Sequence, residues 1–270
     1  MTFSASYEFI EGDSPLLVSM PHSGLQLTPL VADTLTSEAL TLPDTDWHIP
    51  QLYNFLEAMG VGVIKANYSR YLIDLNRPED NKPLYAGKIT GLFPHILFNE
   101  KSMFKPGTVP NSGHQQACIK NVWQPYHQQL AAELARIKQK FGYAILFDAH
   151  SIRAQVPMFF EGILPDFNMG TNSGLACSAK LLQAAEQVIL GTGYSQVSNG
   201  RFKGGYITRS HGQPSDHIHA FQLELSQATY MQDTPMNKMG VYCLDERKCA
   251  QVRPPLKALV EALVNCNLTP

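Results

Sequence analysis

Apolar residues gather along this chain into short runs separated by longer stretches of helical period, the alternation expected of strands and helices taken in turn. Leu16-Leu17-Val18-Ser19-Met20 and Ala144-Ile145-Leu146-Phe147-Asp148 are nearly continuous apolar runs of buried-strand length. Val61–Ala66 and Tyr71–Asp74 read as two further strands, and Phe221-Gln222-Leu223-Glu224-Leu225 as a strand with one acid inside it. Between them, Trp47–Gly60 predicts an amphipathic helix, with Pro50 near its first turn and Gly60 at its end. Gln115–Lys140 predicts a second, with Leu130, Leu134 and Ile137 on one face, Gly142 as a stop and Pro125 as a kink or restart. Leu175–Ile189 and Pro254–Asn267 predict two more. Residues 78–113 form a long Pro- and Gly-rich segment, read as a functional loop or lid, and Gly191–Asp216 a second mobile loop. Strands alternating with helices argue for an α/β fold with a mostly parallel sheet covered on both faces.

Composition narrows the picture without changing it. At 270 residues, 44% hydrophobic, the chain can bury a full core. No boundary, repeat or low-complexity stretch divides it, so residues 1–270 are read as one domain. The 21 Lys and Arg against 23 Asp and Glu leave a net charge of -2 with no block of one sign, which disfavours nucleic acid and membrane surfaces as partners. The first residues, Met1-Thr2-Phe3-Ser4-Ala5-Ser6-Tyr7-Glu8, lack a signal peptide's basic start and apolar centre, and no run approaches the ~20 apolar residues of a membrane span, so a cytoplasmic location is expected. Five widely spaced cysteines with no C-x-x-C pair read as buried reduced thiols.

The chemistry starts at the strand ends. Both principal apolar runs lead into a His-Ser pair, Pro21-His22-Ser23-Gly24 and Asp148-Ala149-His150-Ser151. In open α/β sheets, ligands collect just beyond the carboxyl ends of the strands. Asp44-Thr45-Asp46 lies between the two runs and offers a carboxylate from either aspartate, and Glu224 supplies a later acid. Two His, one Asp and one Glu match the needs of a catalytic zinc site: three protein ligands and a general base towards water. Glu224 amid aliphatic neighbours is costly to bury without a role or a partner. The same ligand types also take Co, Mn, Ni or Fe(II). His217 and His219, two apart on one strand face, read as hydrogen-bonded packing, and His48, His95, His114 and His127 have no supporting context. Ser102-Met103-Phe104-Lys105 fits S-x-x-K but lacks its companion motifs, and no G-x-S-x-G, P-loop or G-x-G-x-x-G occurs.

A fifth segment, Tyr71-Leu72-Ile73-Asp74-Leu75-Asn76-Arg77-Pro78, completes a set. Taken with Pro21–Gly24, Asp46-Trp47, Ser69-Arg70, Asp148–Ser151 and the stretch from His219 through Gln222, Glu224 and Ser226 to Tyr230-Met231, it resembles the N-formylglutamate amidohydrolases in the order of its motifs over residues 21–231. That family is similar in plan to zinc carboxypeptidases and aspartoacylases. The resemblance implies a three-layer α/β/α sandwich with a mostly parallel mixed sheet, phosphorylase/hydrolase-like. It implies a Zn2+ on His22, Asp46 and His150, Asp46 matching the pattern better than Asp44. The chain departs from the carboxypeptidases at Gln26, where those enzymes carry a glutamate ligand. Asp74 would hold the other nitrogen of His22, Asn76 and Arg77 would bind a substrate carboxylate, and Glu224 would act as the base. Arg70, Arg153, Arg209 and Tyr206 compete to supply the second contact to a dicarboxylate amide substrate. The implied reaction is hydrolysis of N-formyl-L-glutamate to formate and L-glutamate in histidine degradation. Aspartoacylase-like, desuccinylase-like or carboxypeptidase activity, or an inactive metabolite-binding member, are the alternatives.

Overall fold

A computed structural model describes residues 3–84, 89–236 and 241–269. Seven strands form one mixed sheet: β1 (Tyr7–Ile10), β2 (Leu16–Met20), β3 (Gly62–Ala66), β4 (Ala144–Ile152), β5 (Phe167–Gly170), β6 (Gln196–Ser198) and β7 (Ile218–Ser226), in the order β1-β3-β2-β4-β7-β5-β6. β3, β2, β4 and β7 run parallel. The pairs β1–β3 and β5–β7 are antiparallel, and β6 is parallel to β5. A small antiparallel pair, β8 (Met231–Met236) and β9 (Tyr242–Leu244), stands apart. The helices are α1 (Pro29–Thr34), α2 (Ile49–Leu52), α3 (Ser112–Cys118), α4 (Gln124–Phe141), α5 (Ala179–Ile189), α6 (Tyr206–His211) and α7 (Glu246–Asn265). Among the described residues, no helix is long and apolar enough to cross a membrane.

The central strands are apolar on both faces because both faces are covered. Leu16, Val18, Ile145, Phe147, Phe221 and Leu223 pack with α2, α5 and α7, while Leu17, Leu146 and Ala220 pack with Leu130, Leu134 and Ile137 of α4. Two cores on one sheet make the α/β/α layering. Register then sets the chemistry. β4 and β7 align Leu146 with Ala220, Asp148 with Gln222 and His150 with Glu224, and β2 aligns Ser19 with Asp148. With a two-residue period these positions share one face, which changes from aliphatic to polar towards the carboxyl ends.

Several helices and strands depart from the sequence pattern. Trp47–Gly60 is not one helix: only Ile49–Leu52 is α-helical, His48 before it is left-handed at φ 62°, and Glu57–Met59 is a 3-10 turn closed by Gly60 at φ 66°. The chain turns there to bury Tyr53, which meets Phe147 edge-on with ring centroids 5.8 Å apart. Tyr71–Asp74 is a turn and coil, not a strand. Its apolar side chains join the core that contains Leu92 and Leu97 without the segment pairing into the sheet, and Asp74 N donates to Leu92 O at 2.8 Å. Before Pro125, residues Ile119–Trp123 form a π-helical turn, and the proline restarts the helix as α4. The segment 191–216 contains β6 and α6 instead of being wholly irregular, and α7 begins at Glu246, capped by Asp245, with Pro254 and Pro255 inside it. Residues 85–88 of the expected lid lie outside the described residues.

Candidate active site

His22, Asp46 and His150 are buried, and one ligand atom from each lies within 4.8 Å of the others. His22 follows β2 in a turn that passes close to the backbone of Tyr68. A Cβ at Gly24 would collide with the Tyr68 carbonyl, so the glycine permits the approach. His150 sits near the end of β4. Asp46 comes from the loop before α2, which is tethered to the first histidine by Asp46 N donating to His22 O at 3.1 Å. The same loop is held from behind by Gln227 Nε2 donating to Thr45 O at 3.0 Å and Tyr230 Oη donating to Trp47 O at 2.8 Å.

Both imidazoles turn Nδ1 towards one oxygen. Asp46 Oδ2 is 3.0 Å from His150 Nδ1 and 3.8 Å from His22 Nδ1. The outer nitrogens are each held by a carboxylate: His22 Nε2 lies 2.7 Å from Asp74 Oδ1, and His150 Nε2 lies 2.9 Å from Asp148 Oδ2. Asn76 Nδ2 sits 3.0 Å from the same His150 nitrogen, and Ser19 Oγ donates to Asp148 Oδ1 at 3.0 Å. Two imidazoles and a carboxylate facing inward, with carboxylates fixing the far nitrogens, form a donor set that fits a divalent transition metal. Burial and the Arg70 guanidinium hold His22 below the ordinary imidazole pKa despite Asp74. Burial also opposes charge on His150, but Asp148 and Asp46 outweigh it and raise its pKa well above the usual value. Positive charge is therefore favoured on His150, between Asp46 and Asp148.

Asp44 is engaged elsewhere. Its Oδ2 accepts from Tyr71 Oη at 2.7 Å and from Phe98 N at 2.9 Å, and its Oδ1 accepts from Arg153 Nη2 at 3.1 Å. Of the two aspartates, Asp46 alone joins the histidines.

A cavity opens beside the cluster, lined by His22, Arg70, Asn76, Arg77, His150, Gln222 and Glu224 together with Phe98, Phe159, Arg201 and Phe202. Glu224, next to His150 across the β4–β7 ladder, is buried. Burial, opposed by His150 and reinforced by Asp46, pushes its carboxyl up to about 8. Arg77 is oriented by Thr90 O at 2.7 Å from Nε and Asn76 O at 2.9 Å from Nη1, and Trp123 Nε1 donates to its carbonyl at 2.9 Å. Arg70 is buried and donates to Asp74 Oδ2 at 2.7 Å.

Three sequence candidates do not line this cavity. Arg153 pairs with Asp44, Arg209 Nε donates to Gly204 O at 2.8 Å, and the Tyr206 ring packs against Trp123 and His127. Two residues that sequence reasoning passed over belong to the site. Asp148 was signalled by its i,i+2 relation to His150, which puts both on one strand face. Arg201, in a Gly-rich stretch without a motif, carried no signal. His219 Nδ1 accepts from Ser178 N at 3.2 Å, in keeping with packing, and the five cysteines are thiols outside any disulfide, all buried except the half-buried Cys243.

Comparison with known proteins follows the same geography. The N-formylglutamate amidohydrolase family model matches residues 14–231, a span holding every cluster and cavity residue named above. The chain is 51% identical over 257 residues to the N-formylglutamate deformylase of Pseudomonas putida, covering 95% of this chain and 94% of that protein. It is 53% identical over 226 residues to the N-formylglutamate deformylase of Pseudomonas aeruginosa, covering 83% and 85%. In three dimensions it matches the crystal structure of an N-formylglutamate amidohydrolase from Ralstonia eutropha with a TM-score of 0.80 at 20% identity, over 96% of this chain and 98% of that one. An Agrobacterium tumefaciens gene product follows with a TM-score of 0.72 at 14% identity, over 96% and 95%. The sheet with its His-bearing strand ends, the order of the motifs and the extent of these matches place the chain in the N-formylglutamate amidohydrolase family.

Proposed function

We propose that this chain hydrolyses the formyl amide of N-formyl-L-glutamate, releasing formate and L-glutamate in histidine degradation, with a divalent metal, zinc in the first instance, on His22, Asp46 and His150. The observation that carries this reading is the convergence of two imidazole Nδ1 atoms on one Asp46 oxygen while Asp74 and Asp148 hold the outer nitrogens. The deformylase relatives at 51% and 53% identity support the choice of substrate. A metal bound there supplies Lewis acidity, drawing electron density from a carbonyl oxygen and lowering the pKa of water to about 7.

The chain's own residues do the rest. Glu224 accepts a proton from the water that adds to the formyl carbon and returns it to the amide nitrogen as the C–N bond breaks. A carboxyl with a pKa near neutrality serves both directions of that transfer. Asn76 and Arg77 hold a substrate carboxylate, the guanidinium being fixed in advance by Thr90 and the Asn76 carbonyl. The aromatic wall of Phe98, Phe159 and Phe202 limits water around the reacting amide.

Release of the acyl group from N-formyl-L-glutamate, N-acetyl-L-glutamate, N-succinyl-L-glutamate and N-acetyl-L-aspartate, assayed in parallel on the purified protein, tests the reading. Preference for the formyl substrate upholds it. Preference for another member of the panel moves the chain to a related acyl-amino-acid hydrolase.

A further inference from the structure

The substrate proposed above carries two carboxylates, and Arg77 with Asn76 accounts for one. We infer that Arg201 reads the other, the side-chain carboxylate, and so sets the preference for an acidic amino acid; the inference rests on the proposed reaction class.

Arg201 lines the same cavity as His22, His150 and Glu224. Its guanidinium carbon lies 5.6 Å from the Phe159 ring centroid and 5.5 Å from that of Phe202, and its Nε donates to Phe159 O at 2.6 Å. The cation is thus held on the wall by two rings and a carbonyl before any substrate arrives. The segment bearing it is anchored at both ends. Asn199 N donates to Met169 O at 2.7 Å, and Gly205 N donates to Gln222 Oε1 at 2.7 Å, where a Cβ would collide with the Asn76 side chain.

A row of ring contacts runs from Arg201 back towards the metal cluster. Arg70, whose partner Asp74 holds His22, lies 4.9 Å over the Phe98 ring; Phe98 meets Phe159 edge-on at 4.8 Å; Phe159 then meets Arg201. Along this row two phenyl rings stand between Arg201 and Arg70. Arg77, by contrast, directly follows Asn76, which reaches His150 at 3.0 Å. In N-formylglutamate the α-carboxylate is adjacent to the amide and the other carboxylate extends along a flexible side chain. Arg77, next in sequence to the residue that reaches His150, matches the first, and Arg201, on the aromatic wall, the second. A guanidinium fixed in place also rejects the neutral amide of glutamine, which cannot form a charge-assisted pair with it.

The test compares N-formyl-L-glutamate with N-formyl-L-glutamine, which has the same shape without the charge. In R201Q, kcat/KM for the glutamate substrate is expected to fall on the order of 100-fold, mainly through KM, while that for the glutamine substrate changes less than about 3-fold. R201M keeps the apolar stem between the two rings and serves as the second variant if R201Q does not fold. Equal losses on both substrates, or an unchanged glutamate preference, overturn the inference. If the wild type cleaves neither compound, the reaction proposed above falls, and calorimetry with L-glutamate and L-glutamine decides Arg201 separately. A glutamate preference that R201Q abolishes upholds its role, and no difference between the variants overturns it.

Discussion

Asp74 Oδ1 lies 2.7 Å from Nε2 of His22 with both side chains buried, while the other oxygen of the same carboxylate accepts from Arg70. The Arg70 guanidinium and His22 keep this acid ionised well below the usual carboxylate range in spite of its burial. An ionised Asp74 fixes the His22 proton on Nε2 and leaves Nδ1 as a donor atom facing Asp46. Asp74→Asn is therefore expected to weaken metal affinity by about 10- to 100-fold, read by competition with a chromogenic chelator. It also strips the buried Arg70 of its counter-charge, at a cost of about 3–5 kcal/mol in urea unfolding.

Glu224→Gln separates chemistry from metal binding. Removing the proton carrier should lower kcat by about 10²- to 10⁴-fold, and metal content by elemental analysis should stay at the wild-type level. Stability should hold or rise, because an acid costly to bury becomes a neutral amide of the same shape.

The two aspartates of the Asp44-Thr45-Asp46 loop should fail differently. Asp46→Asn removes the anionic donor of the cluster, so bound metal and turnover fall together. Asp44→Asn breaks the acceptor set serving Tyr71, Phe98 N and Arg153, which should cost about 1–3 kcal/mol of stability while leaving metal stoichiometry unchanged. Thermal melts alongside elemental analysis of the two variants check both outcomes.

Acid should destabilise the fold partly through the pair formed by buried His127 and half-buried His211. His127 Nδ1 and His211 Nε2 lie 3.4 Å apart, and His127 Nε2 lies 2.9 Å from Leu75 O. Burial, joined by His211, pushes the His127 pKa down to about 3, and burial pushes that of His211 down to about 4. Unfolded, both titrate near 6.5. Between about 6.5 and 4, the unfolded chain thus binds protons that the folded one excludes, so the stability of the neutral pair is present above 6.5 and lost on acidification. His127→Gln should flatten the decline of unfolding free energy over this range by up to about 1.4 kcal/mol per pH unit, measured by urea titrations at pH 7, 6, 5 and 4.5. Parallel declines in the two proteins would contradict it.

What could be read from the sequence divides on physical lines. β2, β4 and β7 were legible because strands covered on both faces need near-continuous apolar runs, and the histidines at two of their ends stand out against them. The Tyr71–Asp74 turn was not, because its apolar side chains join the core as a strand's would although the segment pairs with no strand, and a four-residue run carries no period to tell the two apart. The Trp47–Gly60 helix failed for a related reason: Tyr53 and Leu56 are buried as a helix would require, yet His48 is left-handed and the chain leaves the α-helix after Leu52. Asp148 was within reach of the two-residue strand period that links it to His150, whereas Arg201 depends on the ring and carbonyl of Phe159, distant in sequence, which no local pattern records.

The central claim is that His22, Asp46 and His150 hold a metal on which hydrolysis of N-formyl-L-glutamate depends. Formate release should be followed in one preparation as purified, after exhaustive chelation, and after titration with zinc, with metal content measured at each stage. The account predicts that release disappears with the metal and returns in proportion to zinc, saturating at about one equivalent per chain as for a three-ligand catalytic site. Undiminished release from protein shown to be free of metal would contradict it.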